Sequence, residues 1–352
     1  MSAGDDAETL WLVVPPLDGP VTGGTLYNRE LVAAFERAGA RVRAVEPPAA
    51  VAALRREEPG WFFVDSLYLA ALPTIFEAPP APGGIGVLAH YLPSLVRNGR
   101  AGAALDAEER FALDHARAFV APSAFLRDVL VGEGSAPAGV VEPGRAAAGL
   151  ATRAVPEAEA PLEAIVIANL VPGKGVEPLL AALGAELDDG DALSVTVIGS
   201  ASLDPACAER CHAELGRQPR LAGRVRWAGA LPPEATLARL ARAELLISAS
   251  RMESYGMALA EARTLGIPIV ARRAGNTGEL VGAGAGGELV EDDQALAAAC
   301  VGLARDRREL ARRREAARQS ALPPRSWDAA ARELRALLRG WPRPDRDDPS
   351  TN

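Results

Sequence analysis

The sequence predicts an α/β protein built from two Rossmann-like domains. Three observations carry this. At 352 residues the chain exceeds what one ordinary core accommodates. Short apolar runs alternate with amphipathic helical stretches, and the order strand, glycine-bearing loop, helix opens twice, near Trp11 and again near Ile165. Between the two patterned halves, Ala151 to Pro161 is rich in Pro, Ala and charge, as interdomain linkers are. The expected division is 1–150, a linker at 151–161, a second domain at 162–322, a last helix at 323–340 and a disordered Pro- and Asp-rich tail at 341–352.

Composition narrows the function. The 38 basic and 46 acidic residues give a net charge of -8, against the basic excess of a nucleic-acid binder. No apolar run reaches the length of a membrane span. Asp5, Asp6 and Glu8 stand where a secretory signal carries positive charge, so a cytoplasmic protein is expected. Cys207, Cys211 and Cys300 make no disulfide framework. The spacing of Cys207, Cys211 and His212 invites a metal reading, but no second ligand cluster accompanies it and His212 lies off the shared helix face. Packed helical thiols are expected, with no metal.

In the first half, Trp11 to Val14 reads as a strand, and a helix starts near Thr25 with Tyr27, Leu31, Ala34, Phe35 and Ala38 on one face. The loop before it lacks G-x-G-x-x-G, which disfavours a dinucleotide fold. Gly23 and Gly24 have two readings: a plain turn, or a loop whose amides approach phosphate. Trp61 to Asp65 and Gly86 to Ala89 read as strands, the second ending at His90. Asp106 with Glu109 forms a capping box for a helix expected over Ala107 to Ala118. Ser123 caps the next helix, after the strand Phe119 to Pro122.

In the second half, Ile165 to Ala168 is a strand followed by N-L-V-P-G-K-G and a helix striped with Val176, Leu179, Leu180, Leu183 and Leu187. Ser194 to Ile198 and Val225 to Gly229 are strands, and Pro233 to Ala243 a helix. Ala243 to Ile247 then leads into S-A-S-R-M-E-S-Y-G-M-A-L-A-E-A-R-T-L at Ser248 to Leu265. A strand there hands over to a helix, so S-R-M-E-S-Y-G lies where open α/β sheets bind ligands. Gly256 lets the backbone approach a ligand, and the helix after it offers unpaired N–H groups and a positive dipole end to an anion. The basic run from Arg305 carries acidic residues at helical spacing, as a solvated face does; peripheral contact with an anionic membrane is the alternative. Ser326 caps a last helix with Trp327, Ala330, Leu334 and Leu337 on one side.

The segment E-S-Y-G-M-A-L-A-E, Glu253 to Glu261, resembles the E-x7-E signature of retaining glycosyltransferases of the GT-B fold, family 4 type. The resemblance extends over nearly the whole chain. It implies two Rossmann-like domains facing a central cleft, the last helix crossing back to the first domain, and a nucleotide-diphosphate-sugar donor, UDP- or GDP-linked. It also implies retention of configuration without a metal or other cofactor. On the matching positions, Glu253 contacts the sugar and steadies the oxocarbenium-like centre, Glu261 holds the ribose hydroxyls, and Ser254, Tyr255, Gly256 and Met257 bring backbone to the donor. Lys174 holds the diphosphate, Gly23 and Gly24 match the glycine-rich first loop, and His90 faces the sugar.

Two departures stand out. Asn169 occupies the place of a clamp arginine, and Arg145-Ala146 replaces an aliphatic residue and Asp. Lys174 with the helix dipole suffices, or Arg145 or Arg251 compensates. The acceptor, a small molecule, glycan or lipid-linked species, is not legible. Competing functions are a nucleotide-sugar epimerase, a sugar phosphorylase and a non-catalytic nucleotide-sugar-binding partner protein.

Overall fold

The computed structural model describes residues 9–56, 60–78, 84–98, 104–145 and 160–341. Most of the expected linker and nearly all of the expected tail lie outside them. The chain divides into two compact units, Met1–Gly144 with Arg325–Asn352, and Arg145–Pro324. Arg145, expected in the first domain, therefore falls in the second.

The first unit is a parallel sheet of β1 (Thr9–Val13), β2 (Val42–Val45), β3 (Gly60–Asp65), β4 (Gly84–Leu88), β5 (Phe119–Ala121) and β6 (Ala138–Val140), in the order β2-β1-β3-β4-β5-β6. Helices α1 (Gly23–Arg37), α2 (Pro47–Arg55), α3 (Leu72–Phe76), α4 (Pro93–Asn98), α5 (Ala107–His115) and α6 (Ala124–Gly132) connect the strands. The helix at Ala107 ends at His115, three residues before its expected end, because Ala116 turns to extended backbone. β3 and β4 are buried along their full length, so their apolar runs are continuous rather than alternating, as in a sheet covered on both faces.

On one face, Leu10, Leu12 and Phe63 pack with Tyr27, Leu31 and Phe35 of α1 and with Ala330, Ala331 and Leu334 of the final helix, Trp327–Gly340. That helix starts at the Ser326 cap and belongs to the first unit, as expected for one that crosses back. Arg37 binds Asp328 at 2.7 Å along the same contact. A Cβ at Gly144 would come within 2.6 Å of the Trp327 ring. Gly144→Ala is expected to destabilise the first unit by about 1–3 kcal/mol, the usual penalty of overpacking. The check is the urea midpoint followed by tryptophan fluorescence.

The second unit repeats the plan with β7 (Leu162–Ile167), β8 (Leu193–Ile198), β9 (Val225–Gly229), β10 (Leu245–Ser248), β11 (Ile269–Arg272) and β12 (Glu288–Val290). All are parallel, in the order β12-β11-β10-β7-β8-β9. Its helices are α7 (Val176–Glu186), α8 (Pro205–Arg217), α9 (Pro233–Leu240), α10 (Met257–Thr264), α11 (Thr277–Leu280), α12 (Asp293–Arg305) and α13 (Arg307–Gln319). The strand period of two separates the faces. Leu162, Ala164 and Val166 of β7 meet α7, α8 and α12, while Ile165 meets α10 and the end of α9. Cys207, Cys211 and Cys300 are buried in the first of these layers, and His212 lies edge-on to Trp227.

Strand order reverses between β1 and β3 in one unit and between β7 and β10 in the other. Such switch points leave an opening at the carboxyl ends of the two diverging strands, where ligands bind. The loops singled out in the sequence are those that follow β1, β7 and β10.

Candidate functional site

In the second unit the switch point is built from the turn after β7 and the loop after β10. Asn169 accepts a hydrogen bond from the Ser200 amide through Oδ1 at 2.8 Å. It ties the β7 turn to the β8 turn with an atom that a clamp arginine would not supply. Pro172–Lys174 then form one tight helical turn, and the Gly173 carbonyl accepts from the Arg251 amide at 2.8 Å. With the two loops joined this way, the Lys174 ammonium meets Glu253 Oε1 at 2.6 Å, both side chains half-buried. Residues 79 apart in the sequence thus share one site.

The loop carrying Glu253 is held by the turn that follows β11. Asn276 donates Nδ2 to the Tyr255 carbonyl at 2.8 Å, and its amide donates to the Glu253 carbonyl at 2.7 Å. Gly275 lets that clamp approach: its φ is +58°, and a Cβ there would sit 2.3 Å from the Glu253 carbonyl oxygen. The loop Ala274 to Glu279 thus serves as a backbone clamp on Glu253. Ser254 lies within the clamped stretch, and the Tyr255 hydroxyl accepts from the buried Arg145 at 2.6 Å.

Arg251 and Arg145 have different partners. Arg251 donates to Asp293 at the start of α12, 2.7 Å away, and Asp293 also pairs with Arg272 at 3.1 Å. Through this pair Arg251 braces the loop. Arg145 instead reaches the signature loop itself through Tyr255.

Gly256 is the N-cap of α10 with φ +89°. A Cβ there would press on Leu259 at 3.0 Å and Leu280 at 3.1 Å. The glycine is thus required by its left-handed backbone and by inward packing. No side chain caps this helix end, so the amides from Met257 onward keep the anion-attracting character of an open helix start.

Glu261 follows one turn into α10. Burial pushes its carboxyl up to about 7, although part of the residue still reaches solvent. The sign follows from the unfolded value of 4.5. Below about pH 4.5 the carboxyl is protonated in both states and contributes nothing. Between 4.5 and 7 only the unfolded chain ionises freely, so stability falls, and above 7 the penalty is constant. Glu261→Gln is expected to match the wild-type melting temperature near pH 4.5 and to exceed it above pH 7. After allowance for solvent access the gain is about 1–2 kcal/mol. Thermal melts across that pH range check it.

The first unit holds a separate polar cluster at its own switch point. Gly23 and Gly24 are the first two residues of α1, after the Thr22 cap, not a loop preceding a helix at Thr25. Thr22 and Thr25 cap each other reciprocally, which is why the helix begins earlier than the apolar stripe suggests. A Cβ on Gly24 would lie 3.3 Å from the His90 ring, so this glycine makes room for the imidazole. His90 follows β4 and places Nε2 2.8 Å from Asn28 Oδ1. Asn28 in turn donates Nδ2 to Asp65 at 2.7 Å.

Residues 162–306 match the family model described as Glycosyl transferases group 1. The chain is also similar in structure to sucrose-phosphate synthase from Thermosynechococcus elongatus, with a TM-score of 0.74 and 19% identity over 94% of this chain and 98% of that one. This is a GT-B fold, and its residues 162–306 resemble the group 1 glycosyl transferases. The GT-B fold of Anabaena HepE, solved in complex with UDP-glucose, matches with a TM-score of 0.73 and 17% identity over 94% of this chain and 99% of that one. A D-inositol 3-phosphate glycosyltransferase of Corynebacterium urealyticum is 32% identical to this chain over 154 residues. That stretch spans 43% of this chain and 35% of the relative's length. Lys174, Glu253, Gly256 and Glu261 all lie within the matched residues 162–306. Among the described residues no helix is long and apolar enough to cross a membrane.

Proposed function

We propose that this protein moves a sugar from a nucleoside-diphosphate sugar to a hydroxyl-bearing acceptor, with retention of configuration and without a metal ion. The observation that carries the proposal is the convergence of Lys174 and Glu253 at 2.6 Å on the switch point of the second unit. A diphosphate leaving group gathers negative charge as the glycosidic bond breaks, while the sugar carbon becomes positive. Lys174 and the open start of α10 suit the first charge and Glu253 the second. Glu261 receives the ribose hydroxyls. The sugar C1–phosphate oxygen bond breaks, a bond from C1 to the acceptor oxygen forms on the same face, and the acceptor proton passes to the departing phosphate oxygen.

His90 is proposed to hydrogen-bond a sugar hydroxyl during the same turnover. Tyr255 and Ser254 are proposed to contact the donor through backbone, with Arg145 setting Tyr255 in place. UDP-glucose, present in the HepE complex, is the first donor to test, followed by GDP-sugars. The acceptor belongs to one of three chemical classes, a small molecule, a glycan or a lipid-linked saccharide. The deciding experiment screens donors by thermal shift, since a tight ligand raises the melting temperature by mass action. The stabilising donor is then incubated with acceptor pools in EDTA, and the anomeric proton of the product is read by NMR. Inverted product, or transfer that stops in EDTA, defeats the proposal.

A further inference from the structure

We propose that Asp65 and Asn28 are positioning residues that hold His90 as its Nε2–H tautomer, making Nδ1 the atom that accepts a substrate hydroxyl. The chain of hydrogen bonds permits one direction. Asp65 accepts from the Leu67 amide through Oδ1 at 2.8 Å and meets Asn28 through Oδ2 at 2.7 Å. A carboxylate only accepts, so the Asn28 amide must turn its NH2 toward Asp65; the reverse would set two acceptors against each other. Its oxygen then faces His90 Nε2 at 2.8 Å, and that nitrogen must carry the hydrogen. Asn28 and Asp65 are fully buried, so a wrong orientation would leave polar atoms unpaired without water to rescue them.

The rest of the surroundings keep the ring in place. Tyr27 packs edge-on at 4.9 Å, and the missing side chain of Gly24 admits the Cδ2 edge. The His90 amide is fixed by Ser66 Oγ at 3.1 Å. Burial favours the neutral ring over the pull of Asp65. In neutral imidazole with Nε2 protonated, Nδ1 bears the lone pair, and among the described residues it has no hydrogen-bond partner. Only the identity of the incoming hydroxyl, on the transferred sugar or the acceptor, rests on the glycosyl-transfer reading; the tautomer does not.

Long-range proton–nitrogen NMR on histidine-labelled full-length protein tests the tautomer directly. The chain has three histidines, and His90→Gln assigns the signal. Wild type is expected to show Nε2 protonated and Nδ1 bare. Asp65→Asn keeps the shape and the bond to Leu67, but offers Asn28 an NH2 in place of an acceptor. Asn28 then reverses, and His90 is expected to change to the Nδ1–H form with turnover down at least tenfold.

His90→Asn and His90→Gln give a second measurement that does not depend on Asp65→Asn folding. Asn places an acceptor near the former Nδ1, whereas Gln keeps only the bond to Asn28. His90→Asn is therefore expected to retain several-fold more turnover than His90→Gln; a purely structural His90 gives the opposite order. A wild-type Nδ1–H tautomer overturns the proposal. So does an Asp65→Asn protein that changes tautomer yet turns over at the wild-type rate. Failure of the transfer reading itself shows separately, as wild-type protein that transfers no sugar from any donor while the tautomer signals stand.

Discussion

Glu253→Gln is expected to lose about a thousandfold in turnover, the upper range for removing one charge-stabilising group from a transition state, while binding UDP as tightly as wild type or several-fold more tightly. The two halves of this result have different origins. Turnover falls because an amide brings no negative charge to a sugar carbon that becomes positive. Binding holds because Glu253 is also the present partner of Lys174, 2.6 Å away. A diphosphate entering the site has to draw the ammonium from that carboxylate. With both side chains half-buried, the pair is worth about 1 kcal/mol, near the top of the range for accessible ion pairs. Removing the competitor returns part of that to the ligand, a factor of about five at most. Initial rates with a matched donor and acceptor give the first number, and calorimetry with UDP the second. A variant that binds UDP tenfold more weakly would make Glu253 a support for Lys174 rather than a group acting on the sugar.

The sequence made the local parts of this site visible and left the long-range ones hidden. Strands such as β3 and β8 could be placed to within a residue because their apolar runs are bounded by turns. The caps at Ser123, Asp106 and Ser326 were legible for the same reason, since each is a contact between residues three apart. Strand order was not readable from periodicity, yet the adjacency of β7 and β10 is what brings Lys174 to Glu253. Asn276, Asp293 and Asp65 act across the fold on partners distant in sequence, so no local pattern marks them.

The basic run holds two kinds of arginine. Glu309 does sit among Arg312 and Arg313 as on a solvated face, and Arg305 binds Asp188 and Asp191. Arg314, however, is 3% exposed, because a long aliphatic stem lets an arginine pack into a core. Charge count alone does not distinguish the two kinds of arginine.

Lys174→Met is expected to weaken UDP binding by about 2–3 kcal/mol, roughly 30- to 150-fold, the scale of losing one charge-assisted contact to a partly desolvated anion. Methionine keeps the stem, so the turn bonded to Arg251 and the fold should persist. Two effects add in the single variant. The phosphate loses a cation, and Glu253 is left without its counter-charge and repels the incoming anion. The double variant Lys174→Met with Glu253→Gln separates them, because it removes the repulsion along with the cation. It should bind UDP several-fold better than Lys174→Met alone while staying weaker than wild type, a coupling between contacting residues that a double-mutant cycle measures. The Lys174→Met affinity should also depend less on salt, since a screened charge pair has been deleted. UDP binding unchanged in Lys174→Met, with the melting curve intact, would place the diphosphate elsewhere and remove the physical basis for donor binding at this switch point.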